Sequence, residues 1–306
     1  MRVCIVGCGA VGSLFAASLA QLGDVEVWAY DLDAEHVRAI NENGLRLSGA
    51  GELVGRLRAT TDASELPACD FGIVATKSMH TDAALGSVAH ALADGSVCSV
   101  QNGVGNEETI AAHVARVIRG TTFPAGRIVE PGHVQWDVTG DTSIGPFEPS
   151  PAPMEEIERL AEACTRSGMP TQAVPDARGP QWRKVIFNAA TNPVGALTRL
   201  THGQVCEDES LRRLVSGLVD EGKAVARAQE IDLDADPEEL IDYAARPDVA
   251  YGHKASMLQD VEARRQTEID YLNGGIVRFG REHGVPTPLN EALVALVKGL
   301  EESWQR

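Results

Sequence analysis

Three polar side chains recur at every fourth position of an otherwise apolar segment. Lys184, Asn188 and Asn192 lie at positions i, i+4 and i+8, so a helix would place them on one face. Asparagine is a poor helix former but a good hydrogen-bond partner of carboxylates and carbonyls, and a part-buried lysine can act as a proton donor. The stripe therefore predicts a site that binds and protonates such a group. The alternative is a solvated face, with Asn192 near a kink at Pro193.

An acidic candidate, Glu268, lies further along the chain. Thr267 and Asp270 have the spacing of a capping box, which predicts a helix over residues 267–283. Glu268 would then lie in the first turn of that helix. It either takes part in a site or compensates the helix dipole.

The glycines near the start of the chain have the spacing G-x-G-x-x-G. They follow residues 3–6, which have the pattern of a buried strand, and precede a helical pattern at residues 13–22. A tight turn at Gly7, room for a pyrophosphate at Gly9 and close helix packing at Gly12 would make a dinucleotide-binding site. The alternative is an ordinary glycine-rich turn. The predicted cofactor loop comprises Gly7, Cys8, Gly9, Ala10, Val11 and Gly12.

Asp31 ends the second predicted strand, residues 25–31. In a dinucleotide fold this position meets the adenosine ribose, where a carboxylate accepts hydrogen bonds from the hydroxyls and repels a 2′-phosphate. Asp31 therefore predicts NAD(H) in preference to NADP(H). Alternatively, it only caps the helix that follows, near Asp33.

Two further polar residues follow predicted strands. Lys77 comes directly after the strand at residues 71–76, and Asn102 follows the strand at residues 96–100. Ligands bind beyond the carboxyl ends of strands in such sheets, so both residues are predicted to meet cofactor or substrate. The pair Asn102-Gly103 is also a plain turn signal.

The elements that would position these residues fall into two domains. Strand and helix patterns alternate in residues 1–176, which predicts an N-terminal α/β domain with a Rossmann-type, doubly wound sheet. Residues 177–306 have only helical patterns, which predicts an all-helical C-terminal domain for substrate binding and dimerisation.

Composition limits the partners and the compartment. A net charge of −17 over 306 residues disfavours nucleic acid and acidic membranes as partners. No apolar stretch approaches the roughly 20 residues of a membrane span, and no signal peptide is recognised. Six cysteines without a C-x-x-C pair indicate a reducing, cytoplasmic environment, and no metal site is predicted. Cys8 lies inside the glycine loop, where it could be reactive, but a packing role is predicted.

Taken together, the motifs resemble the ketopantoate reductase (2-dehydropantoate 2-reductase) family over nearly the whole chain. The blocks that carry the resemblance are the glycine loop, Gln101-Asn102-Gly103, Glu130-Pro131-Gly132, Lys184 with Asn188, Asn192 and Pro193, Ser256-Met257-Leu258-Gln259-Asp260, and Thr267-Glu268-Ile269-Asp270-Tyr271-Leu272-Asn273-Gly274. The resemblance implies NAD(P)H-dependent reduction of ketopantoate to D-pantoate, in pantothenate and coenzyme A synthesis.

The resemblance also implies roles for individual residues. Lys184 matches the family's general acid, and Glu268 matches an acidic residue that orients substrate or cofactor. Asn102 matches a residue that bridges nicotinamide and substrate. The positions that match substrate-binding groups are Asn188, Asn192 and Ser256, and those that match cofactor contacts are Lys77 and Gly126.

Two positions depart from the family pattern. Asp31 stands where many members have a basic residue for the 2′-phosphate, which points to an NADH-preferring branch, while Lys77 leaves some NADPH use open. His202 stands where some members have an asparagine that contacts substrate. The alternatives are therefore a reductase of another 2-keto acid, an opine-type dehydrogenase, or a non-catalytic NAD(H)-binding sensor. A homodimer through the helical domain is also expected.

Overall fold

Two sheets contain the strands of residues 1–304, the part of the chain that this computed structural model describes. In chain order the strands are β1 (Arg2–Val6), β2 (Glu26–Tyr30), β3 (Leu45–Gly49), β4 (Leu53–Gly55), β5 (Arg58–Thr60), β6 (Phe71–Val74), β7 (Ser96–Ser99), β8 (Val117–Thr122), β9 (Ala125–Glu130), β10 (His133–Val138), β11 (Thr142–Pro146) and β12 (Thr171–Ala173). The larger sheet has the order β12-β11-β8-β7-β6-β1-β2-β5, and the smaller has the order β4-β3-β10-β9.

The helices are shared between two compact units. The first unit holds Met1–Gln101 and Asn106–Ala177, and the second holds Asn102–Gly105 and the residues from Arg178 onward. The first unit contains α1 (Ala10–Leu19), α2 (Ala34–Asn43), α3 (Thr81–Val88), α4 (Asn106–Ala111) and α5 (Met154–Arg166). The second contains α6 (Arg178–Thr198), α7 (His202–Glu207), α8 (Glu209–Ala228), α9 (Pro237–Ala244), α10 (Ser256–Glu262), α11 (Asn273–Glu282) and α12 (Pro288–Ser303).

The larger sheet confirms the predicted α/β fold. β1 pairs in parallel with β2 on one side and with β6 on the other, and β6 pairs in parallel with β7. The apolar side chains of β1 are fully buried, as the unbroken apolar pattern of residues 3–6 predicts. Because these strands run in one direction, their carboxyl ends share one edge of the sheet.

The smaller sheet packs on α1 through buried side chains of β3 and β10, among them Leu45, Leu47 and Val134. The hairpin that the sequence indicates near residues 44–59 is present as β3 and β4. The alternating segment around Glu130-Pro131-Gly132 forms four strands in two sheets, whereas its pattern indicates two antiparallel strands. It forms the hairpin β9–β10 in the smaller sheet, whereas β8 and β11 pair with each other in the larger one.

The second unit is all helical within the described residues, as predicted, with two differences. The short helices α7 and α10 carry too few residues for their periodicity to be recognised. The capping box predicted at Thr267 is wrong, because α11 begins only at Asn273. Thr267 Oγ1 instead accepts a hydrogen bond from the Ile269 N–H (3.3 Å), and Glu268 lies in a turn. No helix of residues 1–304 is both long and apolar enough to cross a membrane.

Candidate active site

The glycine loop connects β1 to α1 through two positions that only glycine fits. Gly7 has a φ of +89°, and a Cβ there would lie 2.6 Å from Thr76. A Cβ at Gly12 would lie 2.0 Å from the Gly7 carbonyl oxygen. A Cβ at Gly9, by contrast, would meet nothing within 4 Å, and no side chain caps the N-terminus of α1 that follows it. The N–H groups in the first turn of α1, which begins with Ala10 and Val11, therefore suit a pyrophosphate.

The carboxylate of Asp31 contacts this loop directly. Its Oδ2 accepts a hydrogen bond from the Cys8 N–H (2.7 Å), and its Oδ1 accepts one from the Asp33 N–H (2.9 Å). Asp33 is the residue that caps α2, because its carboxylate accepts from the N–H groups of Glu35 and His36. Asp31 thus lies at the carboxyl end of β2 beside the loop, which is the position that suits a ribose-binding carboxylate.

A buried chain of hydrogen bonds, which the sequence did not reveal, also supports the glycine loop. Ser13 Oγ donates to the Cys8 carbonyl oxygen (2.9 Å), and Nε2 of His36 lies 3.5 Å from the same Oγ. Nδ1 of His36 accepts the N–H of Gly132 (3.0 Å). In the sequence, His36 is only a polar residue on the buried face of a helix, and no pattern indicates its distant partner Gly132. The Cys8 thiol is fully buried, and burial raises its pKa to about 12, which fits packing rather than reactivity.

The two remaining predicted cofactor contacts lie on other elements of the first unit. Lys77 follows β6, at the edge of the larger sheet where parallel strands end. Gly126 lies in β9 of the smaller sheet, opposite Trp136. Their contacts to a cofactor stay predictions.

In the second unit, Lys184 lies on α6 and donates from Nζ to Oδ1 of Asn102 (2.8 Å). Burial lowers the pKa of Lys184 to about 8, and the negative charge of Glu268 opposes this shift. Glu268 is itself only 6% exposed. A lysine whose pKa lies this close to neutrality is suited to donate a proton at physiological pH.

Close backbone packing joins the segment of Asn102 to the segment of Glu268. The Val104 N–H donates to the Tyr271 carbonyl oxygen (3.0 Å). Gly103 has a φ of +86°, and a Cβ there would lie 2.5 Å from the same oxygen. The Asn102-Gly103 pair is therefore both a turn and a close contact, and it brings Asn102 to the lysine.

The stripe on α6 is not a solvated face. Asn188 and Asn192 are 8% and 5% exposed, and both follow Lys184 on the same side of the helix. Ser256 is exposed at the start of α10. The structure thus places Lys184, Asn102 and Glu268 in one cluster, with two buried amides continuing along α6.

His202 begins α7 and is nearly buried. Its Nε2 lies 3.1 Å from the Ile241 carbonyl oxygen, and its ring centroid lies 5.5 Å from that of Phe187 on α6. Burial lowers the pKa of the His202 imidazole, so the ring is neutral at physiological pH. No group of His, Cys, Asp and Glu side chains within residues 1–304 is arranged to hold a metal ion.

A largely parallel sheet with a glycine loop and a carboxylate at the end of β2, followed by a helical unit with a lysine of lowered pKa, is typical of a nicotinamide-dependent oxidoreductase. Sequence comparison gives the particular family. The family described as "Ketopantoate reductase PanE/ApbA" matches residues 3–149, and its C-terminal counterpart matches residues 176–301. The 2-dehydropantoate 2-reductase of Pyrococcus horikoshii is 35% identical, and that of Archaeoglobus fulgidus is 33% identical, each over 98% of both chains. The chain belongs to the ketopantoate reductase family.

Solved structures agree with this assignment. A ketopantoate reductase of the PanE/ApbA family from Ralstonia eutropha JMP134 is 32% identical and superposes with a TM-score of 0.89 over 100% of both chains. A ternary structure of D-mandelate dehydrogenase with NADH and anilino(oxo)acetate is 29% identical, with a TM-score of 0.89 over 99% of both chains. The family therefore shares its fold with enzymes that carry different names.

Proposed function

We propose that this chain reduces the 2-keto group of ketopantoate to give D-pantoate, with NADH preferred over NADPH. The observation that carries the proposal is the hydrogen bond of 2.8 Å from Lys184 to Asn102, on a lysine whose pKa is lowered to about 8. Membership of the ketopantoate reductase family supplies the substrate class.

The chemistry follows from the residues of the second unit. When bound, NADH would supply a hydride to the keto carbon, which would leave negative charge on the keto oxygen. The ammonium of Lys184 stabilises that oxygen and protonates it, while Asn102 accepts one N–H of the ammonium and fixes the direction of Nζ. Glu268 favours the charged form of the lysine against its burial. The amides of Asn188 and Asn192 would donate to the carboxylate or a hydroxyl of the substrate.

The NADH preference is proposed from Asp31. A carboxylate at this position accepts hydrogen bonds from ribose hydroxyls and repels a 2′-phosphate. Two N–H groups already orient the Asp31 carboxylate, from Cys8 and Asp33, so its position is fixed before a cofactor binds. The related D-mandelate dehydrogenase structures contain NADH, which fits the same choice.

Steady-state kinetics test the proposal. The substrates are ketopantoate, pyruvate, 2-oxoisovalerate and phenylglyoxylate, each with NADH and with NADPH. The highest kcat/KM is expected for ketopantoate with NADH. A higher kcat/KM for another acid would replace ketopantoate as the substrate, and binding of NADH without turnover of any acid would favour the sensor hypothesis.

A second candidate is a reductase of another 2-keto acid. The near-equal likeness to D-mandelate dehydrogenase favours it, as does His202, which stands where some family members have an asparagine that contacts substrate. Phenylglyoxylate, the keto acid that corresponds to mandelate, is the diagnostic substrate. An opine-type activity would additionally require an amine co-substrate in the same assay.

We also propose that the protein is a cytoplasmic homodimer. The expected dimerisation through the helical domain is tested by light scattering of the purified protein at several concentrations. A monomer at all concentrations would contradict it.

A further inference from the structure

Proline at position 193 leaves one backbone carbonyl of α6 without its usual donor. In an α-helix the carbonyl of residue i accepts the N–H of residue i+4, and Pro193 has no N–H to give to Ala189. The side chain of Asn273 supplies the missing donor, because its Nδ2 lies 2.8 Å from the Ala189 carbonyl oxygen. Ala189 follows Asn188 directly, so this bond is made in the middle of the Lys184–Asn192 stripe.

Asn273 is held in this position from its other side. The same Nδ2 donates to Oδ1 of Asn290 (2.9 Å), and Nδ2 of Asn290 donates to Oε2 of Glu221 (2.7 Å). Glu221 also accepts the N–H groups of Leu289 and Asn290 at the start of α12. Asn273 and Asn290 are completely buried. Both N–H groups of the Asn273 amide therefore have acceptors, and this fixes the orientation of the side chain, because a buried amide N–H without an acceptor is costly.

The hydrogen-bond network of Asn273 is connected through the backbone to the turn that carries Glu268. The turn that carries Glu268 is closed by hydrogen bonds from the Tyr271 and Leu272 N–H groups to the Glu268 carbonyl oxygen (3.0 and 3.1 Å). Asn273 is the next residue and the first of α11. Its side chain therefore ties the Glu268 turn to the helix of Lys184.

We propose that Asn273 is a positioning residue, which holds the Glu268 turn against α6 so that Glu268 acts on Lys184 and the stripe keeps its place. This inference rests on the proposed function, since it assigns Lys184 as the proton donor. Asn273 makes its side-chain hydrogen bonds to the Ala189 carbonyl oxygen and to Asn290. It acts through the backbone of Ala189 and through the turn that ends at Leu272.

The test separates positioning from simple satisfaction of a buried carbonyl. In Pro193→Ala the backbone N–H of residue 193 can bond the Ala189 carbonyl, so that Asn273 is no longer needed for that purpose. The informative comparison is therefore Pro193→Ala against Pro193→Ala/Asn273→Ala. Loss of the link should lower kcat for the keto acid by about 10- to 100-fold, the scale of a small misplacement of reacting groups. The KM for NADH should stay within about twofold, because the glycine loop lies in the first unit.

Two further measurements complete the test. The pKa of Lys184, read by NMR of the methylated side chain, should move away from its value in the Pro193→Ala parent, and this readout does not depend on turnover. Asn41→Ala is the control. Asn41 donates to the Ala59 carbonyl oxygen and accepts the Ala59 N–H, both within the first unit. Its loss should lower the stability of the protein without moving the pKa of Lys184. Equal kcat and equal Lys184 pKa in the two Pro193→Ala proteins would overturn the inference. A wild-type protein that turns over no 2-keto acid would instead overturn the proposed function, and the pKa comparison would still decide the role of Asn273.

Discussion

The protonation state of Lys184 should set the pH dependence of the reaction. Burial lowers the pKa of this lysine to about 8, well below the ordinary value of 10.5, and a general acid works only while it is protonated. The value of kcat/KM for the keto acid should therefore fall as the pH rises through about 8. An unperturbed lysine would keep the reaction constant up to about pH 10.

The magnitude follows from the titration itself. One unit below its pKa about nine-tenths of the lysine is protonated, and one unit above it about one-tenth is, so kcat/KM should drop about tenfold between the two. Lys184→Ala should lose about 10²- to 10⁴-fold in kcat, the usual contribution of a general acid, and should lose this basic limb as well. Glu268→Gln should move the limb to lower pH, because the negative charge of Glu268 raises the pKa of Lys184.

The assay is the oxidation of NADH at saturating cofactor, followed by its absorbance over a range of pH. Lys223→Ala is the matched control, because Lys223 pairs with Asp236 on the same unit and has no place in the proposed site. A basic limb near the ordinary pKa of lysine, or one that persists unchanged in Lys184→Ala, would contradict the role of Lys184 as the general acid.

Three further outcomes are expected. Asp31→Arg should shift the ratio of kcat/KM values towards NADPH. Asp31→Asn keeps an acceptor for the Cys8 N–H, so it should lose discrimination between the cofactors with less damage to the loop. Unchanged cofactor ratios in both variants would remove Asp31 from the ribose site. Gly9→Ala should weaken NADH binding at nearly unchanged Tm because its Cβ meets nothing in the protein, whereas Gly12→Ala should lower Tm because its Cβ would meet the Gly7 carbonyl; calorimetry and NADH titration of both variants distinguish these effects. Lys184→Met should raise Tm near neutral pH. The folded protein holds this lysine at a lowered pKa, so the stability of the wild type rises with pH between about 8 and 10.5. The difference in Tm between the variant and the wild type should therefore narrow over this range. A constant difference in Tm would contradict the lowered pKa of Lys184.

Local patterns determined the framework of the first unit. The unbroken apolar residues of β1 and the spacing of Gly7, Gly9 and Gly12 specify a strand, a turn and a helix through contacts within a dozen residues, and the structure confirms these elements. The stripe on α6 was equally predictable, because a helical period of 3.6 residues places every fourth side chain on one face. The start of α11 was not, because a capping-box spacing at Thr267 does not reveal that the backbone turns at Glu268 first.

The chain by itself thus determined which residues are candidates for the chemistry, since side-chain type, helical period and glycine spacing are properties of short segments. Only the tertiary structure decided which of them act together. The pairing of Lys184 with Asn102 joins residues 82 positions apart, and the bond from Asn273 to Ala189 spans 84. The lowered pKa of Lys184 comes from burial, which packing of the whole helical unit creates, and no local pattern specifies it.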